Sequence, residues 1–245
     1  MIKLKSYAEM DLDDLVRFHC QSGSPVTEVS DSRGRLGISV FDQLAFSGDE
    51  KFSADDKKSG NLMNRNCTQY PFGGYAKRIL SPRERQELIG DALTGACEMR
   101  PAGEQIAERV WVGKDVSLAQ SAKIIGPSYI GDRAIVAAGA TIGPFTSVER
   151  DCIVDCGTMV ERSTVLPSTY LGAGLLIRRA LVDGGQLEDL EDGTVADLQP
   201  AGLAHRVTPR KLRRQAFNND TPIFSPDCNA WIGTQFVPEF QQVRP

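Results

Sequence analysis

The sequence predicts a mainly β protein, a parallel β-helix of six-residue repeats behind a small α/β segment, and two regularities carry that reading. From Ile106 an aliphatic residue recurs at every sixth position for eleven repeats: Ile106, Val112, Leu118, Ile124, Ile130, Val136, Ile142, Val148, Val154, Val160 and Leu166. Four positions after each comes a second, mostly small set: Val110, Val116, Ala122, Ser128, Ala134, Ala140, Thr146, Cys152, Thr158, Thr164 and Tyr170. Neither an α-helix nor a strand has a six-residue period. A fixed short period marks a solenoid, and the hexapeptide period marks a parallel β-helix.

Each repeat supplies one short strand and one tight corner. The aliphatic residue points into a narrow prism, and the small residue fits inward near the corner. Three repeats close one triangular coil. Ile106, Ile124, Ile142 and Val160 then stack on one side; Val112, Ile130, Val148 and Leu166 on the second; Leu118, Val136 and Val154 on the third. No repeat buries its aliphatic residue alone, so stability comes from stacking on neighbours, with about 1.5–3 kcal/mol for each buried Val, Leu or Ile. Gly113, Gly131 and Gly143 follow their aliphatic residues directly, where the backbones of adjacent coils approach closely. After Leu166 the spacing becomes five, six and five, at Leu171, Ile177 and Val182. The stretch from Leu166-Pro167 to Gly174 therefore reads as an irregular corner, after which the helix runs out.

Residues 1–104 lack this period. Asp11 to Gln21 reads as a helix with Leu12, Leu15, Val16 and His19 on one face and Gly23 to end it. Pro25 to Val29 and Leu36 to Phe41 read as strands joined by a turn from Asp31 to Arg35. Residues 47–61 read as a loop. Ser81-Pro82-Arg83-Glu84 is a capping box with proline at the first helical position. The helix it starts carries Leu88, Ile89, Ala92, Leu93 and Ala96 on one face, and this face is expected on or near the open first coil. The β-helix is assigned to residues 105–198.

Residues 199–245 follow as a basic segment and a packed tail. Arg206, Arg210, Lys211, Arg213 and Arg214 are the basic residues. Phe224, Trp231, Phe236 and Phe240, among four prolines, make the tail too aromatic for a free linker. It is expected against the β-helix or a neighbouring subunit. Asp183 to Asp197 holds six acids and no base and reads as a solvated loop.

Composition narrows the function classes. The 245 residues are 41% hydrophobic and 24% charged, as in a soluble globular protein. A net charge of −4 argues against a general nucleic-acid binder. No apolar run approaches membrane-spanning length, and Met1 to Lys5 carries no apolar signal core. Six scattered cysteines without a C-x-x-C pair predict reduced thiols in a cytoplasm, with Cys152 inward and Cys156 outward.

The repeats resemble the hexapeptide, left-handed β-helix family over about residues 105–182, and the handedness follows from that resemblance. A second likeness lies upstream. Asp11 to His19, Ser22-Gly23, Pro25-Val26-Thr27 and Gly34-Arg35-Leu36-Gly37-Ile38 resemble an inner part of the sugar-nucleotide pyrophosphorylases, including the mannose-1-phosphate guanylyltransferase group. Val160 to Gly172 resembles their β-helix.

The resemblance implies a nucleotidyltransferase-like domain followed by a β-helix, a sugar-phosphate or nucleotide-sugar ligand, and a homo-oligomer. It places the ligand near Lys58, in Asp56-Lys57-Lys58-Ser59, and near Asn61, in Asn61-Leu62-Met63-Asn64. The family's glycine-rich phosphate loop and metal-holding carboxylates have no counterpart in this sequence. The expectation is therefore a non-catalytic assembly or regulatory protein without a cofactor or metal. The alternative is a hexapeptide acyltransferase using an acyl-CoA or acyl-carrier donor, which needs a histidine base. The two histidines, His19 and His205, lie outside the repeats. His19 reads as structural, and only a domain or subunit contact is expected to bring His205 to a coil.

Overall fold

A computed structural model describes residues 6–42 and 67–207. The chain forms two compact units, Met1–Met99 and Arg100–Pro245.

In the first unit, β1 (Ser6–Ala8) precedes α1 (Leu12–Ser22), whose end groups are satisfied as the sequence requires. The Asp11 carboxylate accepts from the backbone N–H groups of Asp13 and Asp14, at 2.8 and 3.3 Å, and left-handed Gly23 closes the helix. The helix buries only Leu15 and His19, while Leu12 and Val16 stay exposed, so its apolar stripe is narrower than the sequence suggests. His19 is structural: its Nδ1 lies 2.8 Å from Thr27 Oγ1.

The expected hairpin pairs β2 (Val26–Asp31) with β3 (Gly34–Phe41), and β4 (Cys67–Pro71) adds parallel to β2 on its other side. A separate antiparallel pair joins β1 to β5 (Ala76–Arg78). The capping box forms at the start of α2 (Pro82–Thr94): Ser81 Oγ accepts from Glu84 N–H, and the Glu84 carboxylate accepts from Ser81 N–H. Leu88 and Ala92 pack with Cys97 against Tyr7, Tyr75, Ile79 and Met99. The helix face expected on the first coil thus finds apolar partners within its own unit.

Arg78 ties the two pairings together through a forked contact to Asp31, 2.9 and 3.1 Å long. The hydrogen bonds from Arg78 hold the Asp31 carboxyl below the usual carboxylate range. A carboxyl depressed in the folded state adds stability above its unfolded pKa, about 3.9, and that contribution is lost as pH falls through the lower folded value. Asp31→Asn is expected to lower stability at neutral pH and to converge with the parent in strong acid. Denaturant unfolding from pH 2 to 7 measures this, and a constant gap across the range would count against the pair.

The second unit opens with β6 (Glu104–Ala107), antiparallel to β7 (Val110–Val112). The coils then run through β8 (Ser117–Leu118), β9 (Lys123–Ile124), β10 (Ser128–Ile130), β11 (Ile135–Val136), β12 (Thr141–Ile142) and β13 (Thr146–Val148). They continue through β14 (Ile153–Val154), β15 (Met159–Glu161), β16 (Thr164–Val165), β17 (Thr169–Leu171), β18 (Leu176–Arg178) and β19 (Ala180–Asp183). Three parallel sheets result, about four turns deep. The first aligns Val112, Ile130, Val148, Val165 and Val182. The second aligns Leu118, Val136, Val154 and Leu171, and the third Ile124, Ile142, Val160 and Ile177. Apart from Leu118, which is 37% exposed in the outermost strand of its sheet, these columns form one continuous core.

Two of the expected positions are corrected. Ile106 is not in a coil: it lies in β6 at a register irregularity and is 53% exposed. Val165, not Leu166, enters the first column, so the turn from Val148 is 17 residues where the preceding turns are 18. The missing residue falls between Val160 and Val165. All three corners turn through a left-handed residue, Phe145, Arg162 or Arg179, but the corner before Val148 places two residues, Gly143 and cis-bonded Pro144, ahead of it where the next two place one, Glu161 or Arg178. Ser163 closes the shorter corner by donating to Glu161 O and accepting from Ala180 N–H, at 2.7 and 3.0 Å. The slip also puts Ser163 and Thr169 into the small inward positions, and Tyr170 faces out.

The stretch expected as an acidic loop instead forms β20 (Gln186–Asp189) and β21 (Val195–Asp197), which extend β19 as an antiparallel meander. Finally β22 (Ala204–Arg206) pairs antiparallel to β17 and sends Ala204 into the core. At the other end, β8 and β9 are the outermost strands of their sheets among the described residues.

Candidate functional site

The outer face of the second sheet gathers the chemistry-bearing side chains of the β-helix. Strand alternation makes Leu118, Val136, Val154 and Leu171 inward, so their neighbours Ser117, Ile135, Ile153 and Tyr170 form the outward column. β22 then lays His205 opposite Tyr170, with the ring centroids 4.7 Å apart and the planes tilted by 38°. The chain's own return strand therefore brings His205 to a coil, which corrects the expectation that a domain or subunit contact was needed.

Tyr170 Oη donates to Asp155 Oδ2 at 2.7 Å, and Asp155 Oδ1 accepts the Cys156 backbone N–H at 2.7 Å. Asp155 is buried at the corner that follows β14. Burial first, and then the bond to Asp155, push the Tyr170 hydroxyl far above its ordinary pKa, so it remains a donor at physiological pH. Ile153 and Val207 pack beside this group with Ile135. His205 itself is exposed.

The arrangement presents an imidazole to solvent, and Asp155 orients the tyrosine rather than the imidazole. A nucleophile–base–carboxylate relay would need the carboxylate on the histidine. The next charged neighbour, Arg206, is paired with Asp183.

The ligand residues expected from the sequence, Lys58 and Asn61, lie outside the described residues, as do Arg210, Lys211, Arg213, Arg214 and the aromatic tail. Among the described residues, no group of three or more His, Cys, Asp or Glu is placed to hold a metal ion. No described helix is long and apolar enough to cross a membrane. Cys152 is inward as expected. Its thiol reaches Leu166 O at 3.1 Å, and burial pushes it up to about 12, which makes it a packing residue. Cys156 departs from two expectations: it is largely buried, and it is disulfide-bonded rather than reduced. The Tyr170–Asp155 bond was not anticipated, because the six-residue count places Tyr170 in the inward set.

Comparison with known proteins reveals distant likenesses. The carboxysome assembly protein CcmM of Nostoc sp. is 32% identical over 89 residues, which cover 36% of this chain and 16% of that protein. The bifunctional protein GlmU of Bifidobacterium longum is 29% identical over 103 residues, which cover 40% of this chain and 22% of that protein. The matched region thus spans less than a quarter of either relative. No protein-family model matches the chain. Together with the three-sheet stack, these likenesses support a hexapeptide-repeat β-helix.

Proposed function

We propose that this chain is a non-catalytic assembly or regulatory protein of sugar-nucleotide or surface-polysaccharide metabolism. In this reading it works as a homo-oligomer in the cytoplasm and takes a sugar phosphate or nucleotide sugar near Lys58 and Asn61. The observation that carries the assembly role is the β-helix itself. It is a continuous aliphatic stack enclosed by three sheets, and β8 and β9, paired only with β11 and β12, each leave one edge without a strand partner among the described residues. Surfaces of this kind are readily matched in symmetric oligomers. The likeness to a protein named for carboxysome assembly points the same way. The link to sugar nucleotides rests on the pyrophosphorylase-like segments around Asp11 to Ile38 and Val160 to Gly172.

The test is a pyrophosphate-release assay with sugar 1-phosphates, NTPs and Mg²⁺, run beside calorimetric titration with NDP-sugars. The expected result is no turnover, with binding that Lys58→Ala or Asn61→Ala weakens about tenfold, the loss of one charge-assisted contact of roughly 1.4 kcal/mol. Turnover that survives removal of contaminating enzymes overturns the non-catalytic part. Light scattering over a concentration series checks the oligomer, and a chain that stays monomeric at high concentration excludes self-assembly.

One observation favours a second reading, transfer of an acyl group from an acyl-CoA or acyl-carrier donor. His205 is an exposed imidazole held on a coil face and can accept a proton from a substrate hydroxyl or amine. Acyl-CoA-dependent thiol release that His205→Ala abolishes would favour this reading over the first.

A further inference from the structure

We infer that Trp111 and Tyr129, on the outer face of the first sheet, form a stacking platform for a neutral oligosaccharide. This site is separate from the segment around Lys58 and Asn61 and does not rest on the reading given above.

The register places the two rings side by side. Pairing aligns Gln105, Trp111, Tyr129, Ser147 and Thr164 in one row across the sheet. Val112 and Ile130, the next residues along their strands, pack in the prism, so alternation turns Trp111 and Tyr129 outward. Both are half-buried. Ser147 and Thr164 are only 2% and 1% exposed, so the open stretch of the row is its aromatic end.

The polar atoms of the rings are unspent. Neither Trp111 Nε1 nor Tyr129 Oη has a hydrogen-bond partner among the described residues. Neither is sealed off from solvent, because among those residues the buried side-chain polar atom without a partner is Ser128 Oγ. Burial first, and then the carboxylates of Glu149 and Asp132, raise the Tyr129 hydroxyl above its ordinary pKa, so it remains a donor. Glu149 lies on the same outer face, its Oε1 3.4 Å from Ser147 Oγ.

This combination selects a ligand chemistry. A pyranose offers an apolar C–H face, which suits the negative face of an aromatic ring, and a rim of hydroxyls. The indole N–H, the phenol O–H, the Gln105 amide and the Glu149 carboxylate can hydrogen-bond that rim. Neighbouring strands lie about 4.8 Å apart, close to the length of one sugar unit in a chain. An oligosaccharide running along the coil axis therefore meets an aromatic ring at successive sugars. The charges acting on Tyr129 are carboxylates, and the row from Gln105 to Thr164 contains no Lys or Arg, which favours a neutral sugar over a phosphorylated one.

Calorimetric titration of the full chain with maltohexaose, cellohexaose and mannohexaose at millimolar concentration tests the platform. Saturable binding of at least one is expected, and Trp111→Ala and Tyr129→Ala should each weaken it about tenfold. Trp111→Phe, which keeps a ring in place, should cost about threefold. Lys123→Ala, on the outer face of the third sheet, should change nothing. Thermal melts identify variants that fold, and if Trp111→Ala does not, Trp111→Phe and Tyr129→Ala decide. Binding of none of the three sugars, or binding that the ring variants leave intact, would overturn the inference. Equal affinity for a phosphorylated maltohexaose would overturn the neutral class. Loss of an oligomer in Trp111→Ala, with no sugar bound by the parent, would make the rings a contact between copies and overturn the platform. NDP-sugar binding that depends on Lys58 should be untouched by the ring variants, which keeps the two sites distinguishable.

Discussion

Val136→Asp is expected to unfold the β-helix. Val136 is fully enclosed in the second sheet's column, between Leu118 and Val154, and its neighbours in the prism are the aliphatic residues of the other two columns. A carboxylate there has no partner. Burying an unpaired charge lies at the severe end of single substitutions, about 4 kcal/mol or more, and the stack has no way to confine the damage because each coil is stabilised by its neighbours. Arg150, exposed at a corner, is the control, and Arg150→Ala should change stability by no more than about 0.5 kcal/mol. Circular dichroism melts of the two variants decide it. Equal shifts would refute the inward register.

Gly143→Ala carries the second large effect, for a different reason. Gly143 has φ of 106°, and a Cβ there would sit 1.8 Å from Ile125 O and 2.8 Å from Ile125 C. Neither backbone can move aside. Ile125 N–H is bonded to Ile142 O at 2.8 Å, and Gly143 N–H to Val160 O at 2.9 Å. The substitution therefore has to break inter-coil bonds or pull two coils apart, at a cost of roughly 3 kcal/mol or more. Gly157 offers the contrast: φ is 68° and a Cβ there would meet nothing within 4 Å. Gly157→Ala should cost only about 1 kcal/mol. Arg133, Asp151 and Ser168 adopt similar left-handed angles, 57° to 59°, with side chains present. A melt in which Gly157→Ala loses as much as Gly143→Ala would show that conformation, not the close approach, sets the cost.

The parts of the fold that were legible in the sequence are those enforced by repetition. Columns such as Leu118–Val136–Val154 can be read because every coil imposes the same steric demand, and one misplaced residue is outvoted. The parts set by a single local contact were hidden. Ile106 falls in phase by coincidence of spacing, and only its pairing with β7 reveals a hairpin. The adjacent pair Val165-Leu166 kept the six-residue count alive through a corner that had lost a residue, because both side chains are aliphatic and only one can face inward. β4 and β5 leave no mark in the sequence because Cys67 to Pro71 and Ala76 to Arg78 are short and lack an apolar alternation. The candidate site depends on chain reversal: His205 meets Tyr170 through β22, a pairing that no spacing in the sequence encodes. The capping box at Ser81 was fully legible, since both of its bonds close within four residues.

The shortened corner between Val160 and Val165 has an evolutionary consequence. A β-helix can in principle grow by duplicating whole coils, since each unit meets only its neighbours. Here such copies are not interchangeable. The turns from Val112 to Val148 repeat every 18 residues, while those from Val148 to Val182 repeat every 17. An 18-residue block taken where the turn has 17 would leave a one-residue offset, which exchanges the inner and outer sets of a strand. Lengthening of this protein therefore keeps the register only when whole turns are copied, 18 residues long up to Val148 and 17 where the short corner is included.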